Sequence, residues 1–171
     1  MYSGNDAATA IAEYVGGSEE AFVNMMNRRA QELMANGTHF MNPHGLHDDN
    51  HYTTAYDLYL IFNECIKHED FVNIIQSEAY TAYYTDVDGN SQEALFTPTN
   101  LYAQGEVDVP ENVTIVGGKT GTTDEAGYCL ILMEKDSSDN PYISIVMGAS
   151  EKPVLYEDMT SLIEAIPSGQ Q

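Results

Sequence analysis

Basic residues are scarce in this chain, and long apolar runs are missing. Its 171 residues include 6 lysines and arginines against 27 aspartates and glutamates, which gives a net charge of −21. Such a charge repels the phosphates of nucleic acids and anionic lipids, so we expect no nucleic-acid partner. No apolar stretch approaches the roughly 18 residues that a membrane-spanning helix needs. Hydrophobic residues still make up 43% of the chain, which is enough for a packed core.

Cysteine is almost absent as well. The two cysteines, Cys65 and Cys129, lie far apart, and no Cys-x-x-Cys occurs. This argues against a thioredoxin-like motif and against a cysteine-based zinc site. Each cysteine sits in an apolar stretch, where a free thiol behaves as a small hydrophobic side chain. The sequence leaves a disulfide between them open, and with it the redox compartment.

Side chains that bind metals are concentrated in one polar segment, residues 44–51. The segment contains His44, His47, Asp48, Asp49 and His51. It is typical of a loop rather than of a helix with the zincin pattern His-Glu-x-x-His, and no ligating glutamate follows in register. We therefore predict a polar surface loop and no metal site.

Helical patterns occupy the first half of the chain. The first helix is predicted to end at Gly16-Gly17, and the second to begin after the capping Ser18 and to end at Asn36-Gly37. Thr53 or Thr54 would cap the third, and a shorter fourth is expected over residues 69–80. Apolar residues at helical spacing predict the inner faces. They are Ala7, Ala8, Ile11, Ala12 and Val15 in the first helix, Phe22, Met25, Met26, Ala30, Leu33 and Met34 in the second, and Leu58, Ile61, Phe62, Cys65 and Ile66 in the third.

Strand patterns dominate the second half. Asp88-Gly89 predicts a hairpin turn, and its glycine stands too early for a calcium-binding loop. Short polar connections predict antiparallel strands over residues 113–120, 128–134 and 142–147, followed by a helix over 156–165. Helices first and an antiparallel meander second indicate an α+β fold. We expect one domain over residues 1–165, helical to about 80 and sheet from about 81, with a loose tail at 166–171.

The strongest chemical signal is Gly-Gly-Lys-Thr-Gly-Thr-Thr, residues 117–123, at the end of a predicted strand. Lys119 supplies positive charge for a carboxylate or for lowering a neighbour's pKa, and Thr120 offers a hydroxyl to the same anion. Gly121 removes the side chain where a ligand would approach the backbone. The backbone N–H of Thr122 would face a developing oxyanion. Lys-Thr-Gly alone is a common tripeptide, and an ordinary strand end is the alternative.

A second polar group, Ser3-Gly4-Asn5, stands directly before the first predicted helix. Serine and asparagine are preferred helix caps, so plain capping is the alternative. Together with Lys-Thr-Gly, however, Ser-x-Asn supplies two of the three motifs in the set Ser-x-x-Lys, Ser-x-Asn and Lys-Thr-Gly. That set is typical of penicillin-binding proteins and serine β-lactamases.

Longer segments narrow the resemblance to one family. The chain resembles the low-molecular-mass penicillin-binding proteins, the serine-type D-alanyl-D-alanine carboxypeptidases of peptidase family S11. The segments that carry the resemblance are SGNDAATAIAEYVGGSEEAFVNMMN, FMNPHGL, HYTTAYDL and GGKTGTTDEAGYCL. They follow in the family's order over nearly the whole chain. The resemblance implies a β-lactamase-like transpeptidase fold, present here as a helical subdomain, antiparallel strands and a C-terminal helix.

The resemblance also implies a role for each motif residue. Ser3 would be a proton-relay hydroxyl, and Asn5 would bind the substrate's peptide group and help to fix the catalytic lysine. Lys119 and Thr120 would bind the terminal carboxylate of a D-Ala-D-Ala stem peptide or of a penicillin, and Thr122 would complete an oxyanion hole. The reaction would be serine attack, loss of the terminal D-alanine and hydrolysis of the acyl-enzyme, with no cofactor.

The sequence departs from the family pattern in two places. No serine has a lysine three positions later, so the Ser-x-x-Lys motif, which the family places upstream of Ser-x-Asn, is missing. We therefore expect an N-terminally truncated chain that is inactive alone. The family also commonly places an arginine just before the last helix. Here Tyr156 is nearest in the alignment and Lys152 is the only local cation, which leaves the substrate preference open.

Two other functions share these motifs. A serine β-lactamase would need a water-activating residue, and no such glutamate can be placed after Ser-x-Asn. A non-catalytic peptidoglycan-binding domain of the same fold would keep the strand and lose the nucleophile. The main hypothesis places the protein outside the cytoplasmic membrane, with stem peptides and penicillins as partners. A sheet without its preceding strands would expose an edge, so we also expect self-association or marginal stability.

Overall fold

The computed structural model describes residues 2–167 and has the predicted α+β class. The expected tail lies outside the described residues from Ser168 onward. None of the described helices is both long and apolar enough to cross a membrane. The elements in chain order are α1 (Asn5–Gly16), α2 (Glu19–Glu32), α3 (Ala55–Cys65), α4 (Glu69–Ile75), β1 (Tyr80–Thr85), β2 (Ser91–Phe96), α5 (Leu101–Gln104), β3 (Val113–Thr123), β4 (Gly127–Asp136), β5 (Pro141–Ala149) and α6 (Lys152–Glu164).

The predicted starts of α2 and α3 are confirmed by their caps. The Ser18 hydroxyl accepts the Ala21 N–H at 3.1 Å at the start of α2. Thr54, rather than Thr53, caps α3, because its hydroxyl accepts the Asp57 N–H at 3.1 Å. These side chains satisfy backbone donors that a helix leaves without partners in its first turn.

The predicted inner face of α3 is confirmed, but those of α1 and α2 are wrong in part. Ile11 and Val15 of α1 remain 60% and 55% exposed, and Met25 and Met34 remain 41% and 67% exposed. The two helices make their main packing contact with each other. Met25 and Met34 are therefore surface residues, whereas Met26 is half-buried.

The end of α2 differs from the prediction. The helix stops at Glu32 because Met34 adopts a left-handed conformation, with φ of 63°. The Ala35 N–H then donates to the Ala30 carbonyl at 2.9 Å, which closes the helix with a Schellman-type bond. A methionine therefore takes the position that sequence rules assign to glycine, three residues before Gly37.

Two further boundaries shift, and one helix is additional. The fourth helix ends at Ile75 rather than near Tyr80, because Tyr80 already pairs with Phe96 across the β1–β2 hairpin. The last helix begins at Lys152, earlier than predicted, with Pro153 in its first turn, where proline costs no hydrogen bond. The one-turn helix α5 was not predicted at all.

The predicted hairpin turn is confirmed. Gly89 has φ of 87°, which suits glycine. The Asp86 carboxylate accepts the backbone N–H groups of Asp88 and Asn90 at 3.0 and 2.9 Å. The acidic side chain of this segment therefore closes a turn.

The three predicted strands form one antiparallel sheet in the order β3-β4-β5. Each runs longer than predicted, so the segment from Lys119 to Thr122 lies inside β3, where Lys119 is opposite Ile131 and Thr122 is opposite Tyr128. Helix α6 packs on β4 and β5. The buried hydrophobic core at this interface consists of Tyr102, Leu130, Leu132, Ala149, Leu155, Tyr156, Met159 and Ile163.

An acidic side chain, that of Glu134, is buried beside this core. Leu130, Leu132 and Glu134 alternate on the same face of β4, and Glu134 is 0% exposed. Neither of its carboxylate oxygens has a hydrogen-bond partner among the described residues. Burial raises the pKa of Glu134 from 4.5 to about 8, and interactions with Ser144 on β5 oppose the shift only in part. Glu134 is therefore mainly protonated at neutral pH.

Candidate active site

Ser3 and Lys119 meet in the folded chain, although 116 residues separate them. The Lys119 ammonium group donates to the Ser3 hydroxyl at 3.2 Å and also to the backbone carbonyl of Thr120. Lys119 is half-buried on β3, and burial lowers the pKa of its ammonium group below the usual 10.5. The pair joins the start of the helical half to the sheet.

The side chains of Ser3 and Asn5 do not cap helix α1. Gly4 is the N-cap of α1, and no side chain caps that helix. The capping interpretation of Ser3 and Asn5 is therefore wrong. The Tyr2 ring packs edge-on against Phe96 at 5.2 Å between centroids, which holds the segment beside the end of β2.

A cavity of about 290 Å³ opens at this contact. Five of the six predicted site residues line it, whereas Asn5, the exposed first residue of α1, does not. A side chain added at Gly121 would meet nothing within 4 Å, so the backbone is open there. The residues that line the cavity are Ser3, Thr99, Lys119, Thr120, Gly121, Thr122, Tyr128, Lys152, Leu155 and Tyr156.

The structure adds wall residues that the motifs did not identify. Thr99 follows β2, and its hydroxyl hydrogen-bonds to that of Thr120. The only sequence signal was the turn-like run Thr-Pro-Thr-Asn, residues 97–100. Tyr128 contributes from β4 and Leu155 from α6, and both depend on tertiary packing. Thr99 therefore fixes the hydroxyl that sequence analysis assigned to anion binding.

Tyr156 forms a rigid wall of the cavity. Its hydroxyl accepts the Leu101 N–H at 2.9 Å. Its ring packs against Tyr102 at 5.4 Å between centroids, and the Tyr102 hydroxyl hydrogen-bonds to that of Thr160 at 2.6 Å. Burial raises the pKa of Tyr156, so its hydroxyl stays protonated. Tyr156 thus joins α5 to α6 and holds its side of the cavity in place.

The cavity is lined by positive charge, whereas the whole chain has a net charge of −21. Among residues 2–167 no acidic residue lines it, whereas two of the chain's 6 basic residues, Lys119 and Lys152, do. Three other basic residues, Arg29, Lys67 and Lys135, are ion-paired with carboxylates elsewhere. A positive cleft in an acidic protein favours a small anionic ligand such as a carboxylate.

The histidine side chains of residues 39–51 stabilise the loop that contains them. The Nδ1 atoms of His39, His44 and His51 hydrogen-bond to the backbone within residues 39–51. Burial lowers the pKa of His51, which keeps that ring neutral. Within residues 2–167 no three metal-binding side chains lie close enough to hold an ion. Cys65 and Cys129 are both free thiols.

Comparison with known proteins identifies a family. A family model described as D-alanyl-D-alanine carboxypeptidase matches residues 1–151. The chain is 34% identical to the D-alanyl-D-alanine carboxypeptidase DacF of Bacillus subtilis, over 95% of this chain and 39% of that protein. It is 33% identical to DacA of Haemophilus influenzae, over 86% of this chain and 34% of that protein. The chain therefore spans well under half the length of these relatives.

Solved structures show the same fold. The carboxypeptidase DacD from Francisella tularensis superposes with a TM-score of 0.80 at 25% identity, over 95% of this chain and 48% of that one. The Streptomyces K15 DD-transpeptidase superposes with a TM-score of 0.82 at 26% identity, over 93% of this chain and 61% of that one. The fold of residues 2–167 is thus the part of a DD-peptidase fold that carries Ser-x-Asn and Lys-Thr-Gly.

Proposed function

The chain belongs to the D-alanyl-D-alanine carboxypeptidase family, and on this basis we propose that it forms part of an enzyme that trims peptidoglycan. The proposed reaction removes the terminal D-alanine of a stem peptide through an acyl-enzyme. The substrate places the reaction at the cell wall, outside the cytoplasmic membrane. Penicillins would be trapped as acyl-enzymes by the same chemistry. All of these statements concern the whole enzyme, because the chain spans 39% of its Bacillus relative.

The contact between Lys119 and Ser3 carries the proposal. At 3.2 Å the ammonium group can hand a proton to the hydroxyl, and the hydroxyl can pass one to a leaving amine. Burial favours the neutral form of Lys119, which makes such a transfer less costly near neutral pH. An isolated strand end would give no reason for a serine from the chain start to meet this lysine.

The other predicted site residues have proposed roles in substrate binding. Thr120, held by Thr99, would bind the substrate carboxylate together with the lysine charge. Gly121 would let the peptide lie close to β3, and the Thr122 N–H would bind the oxyanion of the tetrahedral intermediate. Asn5 is assigned to the substrate's peptide group by its place in Ser-x-Asn. The acylated serine is not assigned to any residue here, because no Ser-x-x-Lys occurs in the sequence.

The test is covalent capture of a penicillin, read by intact mass. This chain and the complete product of its gene would each be incubated with benzylpenicillin. We expect no adduct on this chain and one adduct per molecule on a gene product that contains Ser-x-x-Lys. The Lys119→Gln variant of that product should lose the adduct, and Lys135→Gln, which changes an ion-paired lysine elsewhere, should keep it. An adduct on this chain, or none on the complete product, would contradict the proposal.

The fate of the acyl group separates the related activities. Slow release of bound penicillin favours a carboxypeptidase, whereas rapid turnover would favour a β-lactamase. One structural neighbour is a DD-transpeptidase, so an amine acceptor should be supplied alongside water. Release of free D-alanine without transfer to the amine would support hydrolysis as the main reaction.

A further inference from the structure

The β1–β2 hairpin presents an aromatic surface for which the motifs give no role. Side chains alternate between the two faces of a strand, and across this hairpin Tyr80 lies opposite Phe96 and Tyr84 lies opposite Gln92. One face of the hairpin therefore has a tyrosine on each side of a pair of small alanines. We call it the tyrosine face, and it consists of Tyr80, Ala82, Tyr84, Gln92, Ala94 and Phe96.

The two tyrosines of this face are open to solvent. Tyr80 is 66% exposed and Tyr84 is 52% exposed. The two strands of the hairpin make their main packing contacts with each other. Packing within residues 2–167 therefore gives no reason for large rings at these positions. Exposed aromatic side chains are typical of binding surfaces, because a tyrosine offers an apolar ring and a polar hydroxyl together.

The hairpin turn fixes the far end of the tyrosine face. The Asp86 carboxylate accepts the backbone N–H groups of Asp88 and Asn90, and the side-chain amide of Gln92 donates to it at 2.8 Å. These hydrogen bonds, first that from Gln92, lower the pKa of Asp86, so its carboxylate stays ionised and occupied by the turn. The surface is thus ordered before any ligand binds, which lowers the entropic cost of binding.

The near end of the tyrosine face joins the cavity of the candidate active site. Phe96 packs edge-on against Tyr2, and the next residue, Ser3, lines the cavity. Thr99, three residues after Phe96, lines the same cavity. A ligand that is bound in the cavity can therefore continue onto the tyrosine face and toward the hairpin turn.

The chemistry of the proposed substrate matches this layout. A stem peptide ends in the D-alanine that the cavity would take, and its other end is attached to the glycan strand of peptidoglycan. An extended peptide of five residues spans at most about 17 Å. Tyr84 lies about 14 Å beyond Tyr80 along β1, because a strand rises about 3.4 Å per residue. A stem peptide that runs from the cavity along this face would bring its sugar to Tyr84.

Charge favours a neutral sugar over other partners of an aromatic surface. None of the side chains on the tyrosine face is charged, whereas the whole chain has a net charge of −21. That net charge repels anionic lipid surfaces and nucleic acids. A pyranose ring is uncharged, and its C–H groups pack on an aromatic ring while its hydroxyls hydrogen-bond to tyrosine and glutamine side chains.

We propose that the tyrosine face is a glycan-binding subsite, in which the Tyr84 ring stacks on a sugar of the peptidoglycan strand while the stem peptide passes Tyr80 on its way to the cavity. The inference rests on the proposed carboxypeptidase function. It makes the enzyme selective for stem peptides that are attached to glycan over free peptides of the same sequence.

The experiment compares two substrates in steady-state hydrolysis by the complete gene product. One is an N-acetylated pentapeptide that ends in D-Ala-D-Ala, and the other is the same pentapeptide attached to a tetrasaccharide of the glycan. The unsubstituted enzyme should have the lower KM for the glycan-linked substrate. Tyr84→Ala should raise that KM roughly five- to tenfold, as expected for the loss of one aromatic contact, with kcat little changed. The KM for the free pentapeptide should not change.

Two further variants control for the integrity of the hairpin. Tyr84→Phe keeps the ring and should keep the preference for the glycan-linked substrate. Tyr83→Ala removes a tyrosine that is 78% exposed on the opposite face, where Glu93 is its cross-strand neighbour. It should leave both KM values unchanged.

The possible results separate this inference from the proposed function. If Tyr84→Ala leaves the KM for the glycan-linked substrate unchanged, the tyrosine face does not bind glycan, although the carboxypeptidase assignment stands. If Tyr83→Ala raises that KM by the same factor, the hairpin acts through its structure only, and the inference is wrong. If Tyr84→Ala weakens binding to neutral lipid vesicles and leaves both KM values unchanged, the face binds membranes, and the inference is again wrong.

Binding of the sugar alone covers the case in which the unsubstituted gene product releases D-alanine from neither substrate. The proposed function would then be wrong. Calorimetry with the peptide-free tetrasaccharide, its lactyl carboxyl groups amidated to keep it neutral, would decide the inference separately. Binding that Tyr84→Ala weakens and Tyr83→Ala does not would support a glycan-binding face, and no binding to the unsubstituted protein would overturn it.

Discussion

Replacing Glu134 by glutamine should change the pH dependence of stability more than any other single substitution in the sheet. The unfolded chain titrates this glutamate near 4.5, and the folded chain titrates it near 8. Between these values the folded state holds one proton that the unfolded state has lost, so stability falls as pH rises through the window. At about 1.36 kcal/mol per unit, the full shift corresponds to about 5 kcal/mol, as an upper limit.

The physical cause is burial, which interactions with Ser144 offset only in part. Glu134 is fully buried beside the α6 interface, and neither oxygen is hydrogen-bonded among the described residues. Ionising it there requires the transfer of a charge into a poorly solvating environment. The predicted loss is a large fraction of the roughly 5–15 kcal/mol that stabilises an ordinary domain. Glu134 therefore favours folding under mildly acidic conditions.

Urea unfolding at several pH values between 5 and 9 tests this directly. The difference between the unsubstituted chain and Glu134→Gln should be small at pH 5 and should grow to several kcal/mol at pH 9, since glutamine cannot ionise. Glu93→Gln, on the exposed part of β2, is the matched control and should leave the slope unchanged. Parallel stability curves for the unsubstituted chain and Glu134→Gln would refute the reasoning.

Three further predictions concern the same sheet. Gly118→Ala should cost about 3 kcal/mol in urea unfolding, because its Cβ would lie 2.0 Å from the Ile131 carbonyl oxygen, whereas Gly121→Ala, with open space around it, should be nearly neutral. Asp136→Ala should lower the urea midpoint at pH 7. The difference should shrink below pH 3.8, because hydrogen bonds, first that from Asn140, lower the pKa of Asp136, and its protonation removes that stabilisation. Sedimentation velocity should show self-association through the free edge of β3 or β5, and a monomer whose melting temperature is independent of concentration would contradict this.

Local chemistry explains which parts of the fold were predictable. Ser18 and Thr54 each accept from a backbone donor three residues away, and Gly89 acts on its own turn, so their effects do not depend on the rest of the molecule. The one-turn helix α5 had similar flanking signals, with Asn100 at its start and Gly105 at its end. Four residues give too short a period to detect, and the Tyr156 hydroxyl that holds its first N–H comes from a distant helix.

The site was predictable only as far as its motifs reach. Ser-x-Asn and Lys-Thr-Gly indicated that Ser3 and Lys119 belong together, and the 3.2 Å contact places them so. Thr99 and Lys152 enter the wall through the loop after β2 and through the early start of α6, which no spacing in the sequence encodes. The burial of Glu134 could not be predicted, because the run before it, residues 128–133, is apolar throughout and does not distinguish the two faces of β4.

The cavity wall comes from both halves of the chain, and this has a consequence for how ligands could be found. Ser3 precedes the first helix, whereas Lys119 belongs to the sheet, so unfolding must separate the two and dismantle the cavity. A ligand that needs the assembled wall therefore binds the native state alone and raises the midpoint of heat denaturation. At a concentration of about 100 times its Kd, it would add about 2.7 kcal/mol. A simple thermal-shift screen could thus rank D-alanyl peptides without any turnover.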